Sequence, residues 1–492
     1  MSKKNLLFII TDQQRFDTMA CYGNRALHTP GFDRLSQNSY VFENAYCTTP
    51  ICTPSRASFL TGQWPHEHQC IANNTPLSSN IATIAELLDD DYYCAYYGKW
   101  HLGDELVPTH GFQERVSTED APYRPYFSNP EYLDLRSDYH HFLVANGFAP
   151  DTVADDGARV FSREYEASLA EPYTKPTFLA DRASSFIEAY SRENPFFLAV
   201  SFLEPHNPFW GPLNNLYDPD SLNVGPTFAR SKEAPVSHKE ALMAKDFATH
   251  GIDGFSLQSE WDWRRVRANY YGLVSLIDHA VEQILVSLDR AGLAEDTLVV
   301  FTSDHGEMMG DHALMTKGLR YEQSVKVPLL MRVPGLSTEE TRVPGNFSHI
   351  DLVPTLLDLL DQHPGDHLQG ESKATVLRGE TDLSDNDVVI TWYGDADTSY
   401  WDQIPGDFTQ SARELAAFSQ WRTIISPDRW KLTLSPDDIC ELFDLNADPD
   451  ELVNLFESPD QRERIIELTN RIQLWQKRTK DTLGLSSVDH RE

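Results

Sequence analysis

Leu298-Val299-Val300-Phe301-Thr302-Ser303-Asp304-His305-Gly306 is an apolar run of strand length that ends abruptly in a carboxylate, an imidazole and a glycine. Short continuous apolar runs bounded by polar or turn residues read as strands buried on both faces of a parallel sheet. The pattern recurs at Leu6 to Ile10, Tyr92 to Tyr97, Phe196 to Phe202 and Leu329 to Val333. Between the runs lie helical patterns, clearest from Leu273 to Leu288, where positions 273, 276, 277, 280, 281, 284, 285 and 288 share one face. This alternation predicts an α/β fold with a large, mainly parallel sheet sandwiched by helices.

The residues that follow the runs carry the chemistry. Strand one leads into Thr11-Asp12-Gln13, the second into Gly98-Lys99-Trp100-His101, the third into Glu204-Pro205-His206 and the fourth into Ser303-Asp304-His305-Gly306. Ligands of open parallel sheets bind outside the carboxyl ends of the strands. One histidine after one strand is more often a satisfied core or loop residue. Four strands delivering Asp, His and Lys to one edge predict a site.

With 492 residues the chain exceeds a single core, since cores stop growing at about 250–300 residues. The texture changes after residue 380, to hairpin-like material at Trp421 to Leu434 and a terminal amphipathic helix through Ile465, Leu468, Ile472 and Trp475. We expect a catalytic α/β domain over 1–380 and a smaller C-terminal α+β domain over 381–492. The aromatic, proline-rich stretches 112–170 and 207–265 lack periodicity and read as long, functional loops.

The formal charge of −34, from 41 Lys+Arg against 75 Asp+Glu, repels polyanions and argues against a nucleic-acid partner. The N-terminal apolar run is too short for a signal segment and has no small-residue cleavage site. No stretch reaches the ~20 apolar residues of a membrane helix, so the expectation is a cytoplasmic chain without a membrane partner. The six cysteines show no CxxC pairing and read mostly as buried thiols. Cys52 stands apart.

Cys52-Thr53-Pro54-Ser55-Arg56 is followed by Ala57-Ser58-Phe59-Leu60-Thr61-Gly62. Proline near the start and glycine at the end mark a short helix, whose N-terminal N–H groups would favour an anion beside Cys52. Arg56, one turn on, adds a fixed positive charge.

This C-T-P-S-R-A-S-F-L-T-G segment resembles the signature of type I sulfatases, whose motif cysteine is oxidised to formylglycine. Further blocks resembling that family stand in order: T-D-Q-Q, G-K-W-H-L-G at 98–103, P-H-N-P at 205–208, T-S-D-H-G-E at 302–307, a lysine at 317, and R-W-K-L with E-L-F-D-L-N-A-D-P-D-E-L-V-N-L near the end. The resemblance implies an alkaline phosphatase-like fold. It implies that Asp12, Gln13, Asp304, His305 and the modified Cys52 hold one divalent cation; hard oxygen ligands favour calcium first, then magnesium or manganese, and the single imidazole admits manganese or zinc.

By the same resemblance Lys99 and His101 would bracket the aldehyde hydrate, with His101 as the base that triggers expulsion of sulfate. His206 and Lys317 would face the leaving oxygen, Arg56 would hold charge on the transferred group, and Asn73 would bond the bound anion. A formylglycine-generating enzyme would be the maturation partner. Gln13 and His305 stand where many animal sulfatases have Asp and Asn, a set shared with bacterial sulfatases and phosphonate monoester hydrolases. The latter tend to carry Tyr and Thr in place of Lys99 and His101, which favours a sulfatase.

The expected reaction is hydrolysis of the sulfate ester of a carbohydrate or small organic or aryl alcohol. The alternative is a phosphonate or phosphate ester hydrolase on the same site, and a third reading is a silent anion-binding protein. At the start of the C-terminal domain, Val388 to Asp395 with Tyr400 and Trp401 form an aromatic and acidic cluster. Trp392 and Trp401 could stack on a sugar or hold an organic cation, with Asp395 or Asp397 bonding a hydroxyl.

Overall fold

The computed structural model describes residues 3–119, 127–153, 159–161, 165, 167–191, 194–225, 227–228, 236–363, 365 and 367–485. Its strands are β1 (Asn5–Asp12), β2 (Tyr40–Tyr46), β3 (Tyr93–Gly98), β4 (Glu114–Val116), β5 (Asp151–Val153), β6 (Arg159–Phe161), β7 (Phe196–Pro205), β8 (Thr297–Ser303), β9 (Lys326–Val327), β10 (Leu329–Arg332), β11 (Thr341–Ser348), β12 (Val388–Trp392), β13 (Trp421–Ile425), β14 (Trp430–Leu434) and β15 (Glu441–Asp444). The main sheet runs β11-β2-β10-β8-β1-β7-β3-β4, with β9 on β2. Its centre, β8-β1-β7-β3, is parallel throughout.

Alternate residues of β1 divide between two cores, as expected of a strand covered on both faces. Leu7 and Ile9 pack with Phe178, Ile187, Leu273 and Ile277, from the helices Lys175–Ala189 and Glu260–Arg290. Leu6, Phe8 and Ile10 pack with Ala57, Phe59 and Leu356 on the other face. Burying each large side chain stabilises the fold by roughly 1.5–3 kcal/mol. The Glu260–Arg290 helix is long and apolar enough to cross a membrane by composition, contrary to the reading of the sequence, but its apolar window is 78% buried within the protein.

The small C-terminal sheet, β12-β13-β14-β15, is antiparallel. It buries Val389, Ile424 and Leu432 against Leu468, Ile472 and Trp475 of the helix Arg462–Thr479.

Two further expectations need correction, and two strands escaped notice. The run at Leu329 forms β10, antiparallel to both β2 and β8, because the chain leaving β8 stays at the same sheet edge and returns without a crossover helix. Strands β2 and β11 were not legible: β2 carries the exposed Glu43, and β11 contains Pro344 and Gly345 at a register shift between Val343 and Asn346. The expected long loops contain the helices Asp138–Ala145 and His238–His250.

Candidate active site

Because β8, β1, β7 and β3 are parallel neighbours, Asp304, Asp12, His206 and Lys99 all leave the sheet at one edge. Two backbone features aim them. Gly98 has φ +99°, and a Cβ there would lie 1.9 Å from the Ser201 carbonyl oxygen, so only glycine lets β3 turn toward the site. Gln13 (φ 67°) and His101 (φ 60°) are non-glycine residues in the left-handed region, strain of a kind that concentrates at functional sites.

Cys52 opens the helix Cys52–Thr61, which ends at Gly62 with φ 65° and its N–H on the Ser58 carbonyl. Its Sγ lies 3.3 Å from His305 Nε2, 3.7 Å from Asp12 Oδ1 and 3.9 Å from Lys99 Nζ. Arg56 is fully buried. It donates to Asp304 Oδ2 (2.9 Å), Asp12 Oδ2 (3.1 Å), the Lys99 carbonyl (2.9 Å) and Ser201 Oγ (2.9 Å). Lys99 Nζ donates to Asp12 Oδ2 at 2.6 Å.

Charge governs the site. Burial pushes the Asp12 carboxyl up, but Lys99, His206, Arg56 and Lys317 outweigh it and hold the group well below the usual carboxylate range. The Cys52 thiol is raised by burial and by Asp12, yet Lys317, Lys99 and His305 bring it below its ordinary value.

Ligand atoms of Asp12, Cys52, Asp304 and His305 lie within 4.8 Å of one another, all buried. His305 Nδ1 is 2.9 Å from the Gly306 carbonyl, which puts its proton on Nδ1 and turns the Nε2 lone pair toward the carboxylates and sulfur. Two carboxylates, an imidazole and a sulfur make a compact donor set with net negative charge. It fits a divalent cation.

His101 Nε2 meets Asn74 Oδ1 at 2.8 Å, leaving Nδ1 as its basic nitrogen. Glu105 braces that turn by accepting the N–H groups of Trp100 (2.6 Å) and His101 (2.7 Å). His206 Nδ1 lies 2.7 Å from the Asn207 carbonyl, so Nε2 must gain a proton before it can act as an acid. Lys317 Nζ bonds Gln13 Oε1.

Asn73 lies beside the start of the Cys52 helix, where its Oδ1 takes the Thr53 N–H at 3.0 Å, and Pro54 has no N–H. The helix N-terminus therefore offers the site less than the sequence implied, and Asn73 anchors the Cys52 helix. Glu105, Ser201, Asn74 and Glu307 went unread as supports, because their partners lie far along the chain or across loops.

Trp392 and Trp401 also need correction. They are only 2% and 3% exposed, and Trp392 stacks on Trp421 at 6.2 Å between centroids. Lys239 Nζ sits 3.7 Å from the Trp392 centroid and 5.4 Å from that of Trp401. It pairs with Asp395 at 3.4 Å, which also accepts from Trp401 Nε1 at 2.9 Å. The cluster expected to hold a substrate cation holds the ammonium of the chain's own Lys239.

His66 bonds Tyr393 and the Thr479 carbonyl, and Asp311 pairs with Arg15. Both are tied into the fold by these partners.

Comparison with known proteins agrees with this geometry. The sulfatase family profile matches residues 4–362. An uncharacterized sulfatase of Escherichia coli strain K12 is 29% identical, over 93% of this chain and 84% of its own. A choline-sulfatase of Rhizobium meliloti is 29% identical, over 93% and 83%. The solved structure of a phosphonate monoester hydrolase from Silicibacter pomeroyi superposes with a TM-score of 0.77 at 24% identity, covering 97% of this chain and 96% of that one. With the profile spanning most of the chain and a cysteine-headed helix set among buried Asp and His side chains, the protein belongs to the sulfatase family and is a sulfuric ester hydrolase.

Proposed function

We propose that this sulfatase works through Cys52 oxidised to formylglycine, needs one divalent cation, calcium first, and hydrolyses the sulfate ester of a carbohydrate or other hydroxylated organic compound. The observation that carries this reading is the Cys52 sulfur, buried 3.3 Å from His305 Nε2 and 3.7 Å from Asp12 Oδ1. A hydrated aldehyde there offers two hydroxyls on one carbon, one to attack sulfur and one to expel sulfate. The cation, held by Asp12, Gln13, Asp304, His305 and the modified residue, would supply positive charge to the nucleophile and the transferred group.

The chain's own side chains do the rest. Arg56 and Lys99 hold negative charge in a water-poor pocket, where fixed charges count for more. His101 Nδ1 is the base for the second hydroxyl. Lys317, or His206 once protonated on Nε2, supplies the proton to the leaving oxygen.

For the alcohol part, a cavity of about 710 Å³ lies beside the His206 loop, lined among others by Ser168, Asn207, Trp210, Asn214 and Asp253. Trp210 stacks on Phe255 at 4.3 Å between centroids. Amide and carboxylate groups beside an aromatic ring suit a hydroxylated ring. Filling of the Trp392 cluster by Lys239 disfavours an organic cation there.

Intact-mass and peptide analysis should find the Cys52 sulfur replaced by an aldehyde oxygen, and Cys52→Ala should fold but lose nearly all turnover. Full activity in Cys52→Ala would sink the mechanism. A higher kcat/KM for an aryl phosphonate monoester than for the matched aryl sulfate would move the assignment to the phosphonate reading.

A further inference from the structure

Glu307 is a fully buried carboxylate two residues past His305, and none of the chemistry above uses it. Its Oε2 accepts from Gln13 Nε2. Its Oε1 accepts the backbone N–H groups of Met309, at 2.9 Å, and of Thr316. The other end of the Gln13 carboxamide meets the Lys317 ammonium. A carboxylate can only accept and an ammonium can only donate. Both partners therefore orient the amide the same way, nitrogen toward Glu307 and oxygen away from it.

The loop that Glu307 clasps is strained. Met309, His312, Ala313 and Thr316 all have left-handed backbone, with φ of 43°, 55°, 55° and 66°, a conformation that costs non-glycine residues roughly 1–2 kcal/mol each. Two of the four supply the N–H groups bound by Glu307. Arg15 holds the same loop by donating to the Glu307 and Met308 carbonyls at 2.9 Å each. Lys317 follows directly.

We infer that Glu307 is a positioning residue that turns the Gln13 oxygen toward the bound cation and, through Thr316, sets the loop carrying Lys317. One carboxylate thus couples a cation ligand to the leaving-group side. The inference rests on the cation reading above.

The test is an exchange of donor and acceptor. In Glu307→Gln the new amide oxygen still receives the two backbone N–H groups, but its NH₂ confronts Gln13. Gln13 then either faces it donor to donor or flips and turns its own NH₂ toward Lys317 and the cation. In Gln13→Glu two carboxylates are apposed. In the double variant position 307 donates and position 13 accepts, and every hydrogen bond is restored with an oxygen again facing the cation.

Calcium and manganese are each titrated into chelator-stripped protein, and the dissociation constant is measured directly. Outer-shell partners of metal ligands are worth about 10–100-fold in affinity. Glu307→Gln should bind at least ~10-fold more weakly, and the double should return to within ~3-fold of wild type. Unchanged affinity in Glu307→Gln, or a double variant no tighter than the weaker single, overturns the inference. Should Glu307→Gln not fold, the double must still fold and bind, and its failure counts equally against the idea. Wild-type protein that binds neither ion removes the cation reading itself, and this inference with it.

Discussion

Acidification should loosen the packing behind the Cys52–Thr61 helix through His349. This residue follows β11, is 0% exposed, and sets its ring edge-on to Phe59 of that helix at 5.7 Å between centroids. Its Nε2 donates to Thr302 Oγ1 at 2.9 Å, whose own proton goes to the Pro328 carbonyl at 2.8 Å. Among the described residues Nδ1 finds no partner. A proton there would create a buried charge and an unsatisfied donor, so burial pushes the imidazole down from 6.5 to about 3.

The native value lies below the unfolded one, so the unfolded chain takes up the proton first. The contribution is therefore intact above pH 6.5 and lost as pH falls from 6.5 toward 3. At pH 5 the 1.5-unit fall below the unfolded value, at about 1.36 kcal/mol per unit, amounts to ~2 kcal/mol. Burial raises Asp278 to about 7 and Asp351 to about 6, and both oppose the trend in the whole protein. The clean quantity is the difference between wild type and His349→Phe. Urea-unfolding free energies at pH 8 and pH 5 should show the variant gaining ~2 kcal/mol on wild type as pH falls. A difference that stays constant across that range refutes the argument.

Replacing Asp304 by Asn should weaken cation binding more than replacing Gln13 by Asn, because the carboxylate contributes charge as well as an oxygen; titration of stripped protein ranks the two. Trp392→Ala should cost ~3–5 kcal/mol of stability, as for other large core aromatics, and leave the preference between a sulfated saccharide and an aryl sulfate unchanged. Trp210→Ala should do the reverse, raising KM for the sulfated saccharide well above any change for the aryl sulfate. Equal effects on both substrates would take Trp210 out of the leaving-group cavity.

Where the sequence could be read, local rules sufficed. Strands β1, β3, β7 and β8 are continuous apolar runs, and a parallel sheet fixes which end of each faces ligand. Asp12, Lys99, His206 and Asp304 could be placed at one edge without knowing a single tertiary contact. Strand β2 was hidden by Glu43 and Asn44, and β11 by the Pro344-Gly345 interruption, because edge and half-exposed strands escape the buried-run pattern. The direction of β10 was hidden too, since the route of residues 304–328 is a tertiary fact.

The same distinction separates what a local motif can place in the site from what it cannot. A backbone motif can place Cys52 and Arg56 one helical turn apart, but not say what already occupies a side chain's partner. Trp392, Trp401 and Asp395 do form an aromatic and acidic trap for a cation. The cation comes from Lys239, over 150 residues away in sequence, carried by the His238–His250 helix that the sequence read as loop. Asn73 does lie beside the Cys52 helix, but its amide oxygen is committed to the Thr53 N–H. Lys239 also comes within 3.2 Å of where a Cβ on Gly318 would lie, one residue from Lys317. The closed cluster thereby braces the Lys317 loop on one side while Glu307 clasps it on the other. A side chain that looks ready to bind a ligand can instead be holding a neighbouring loop in place.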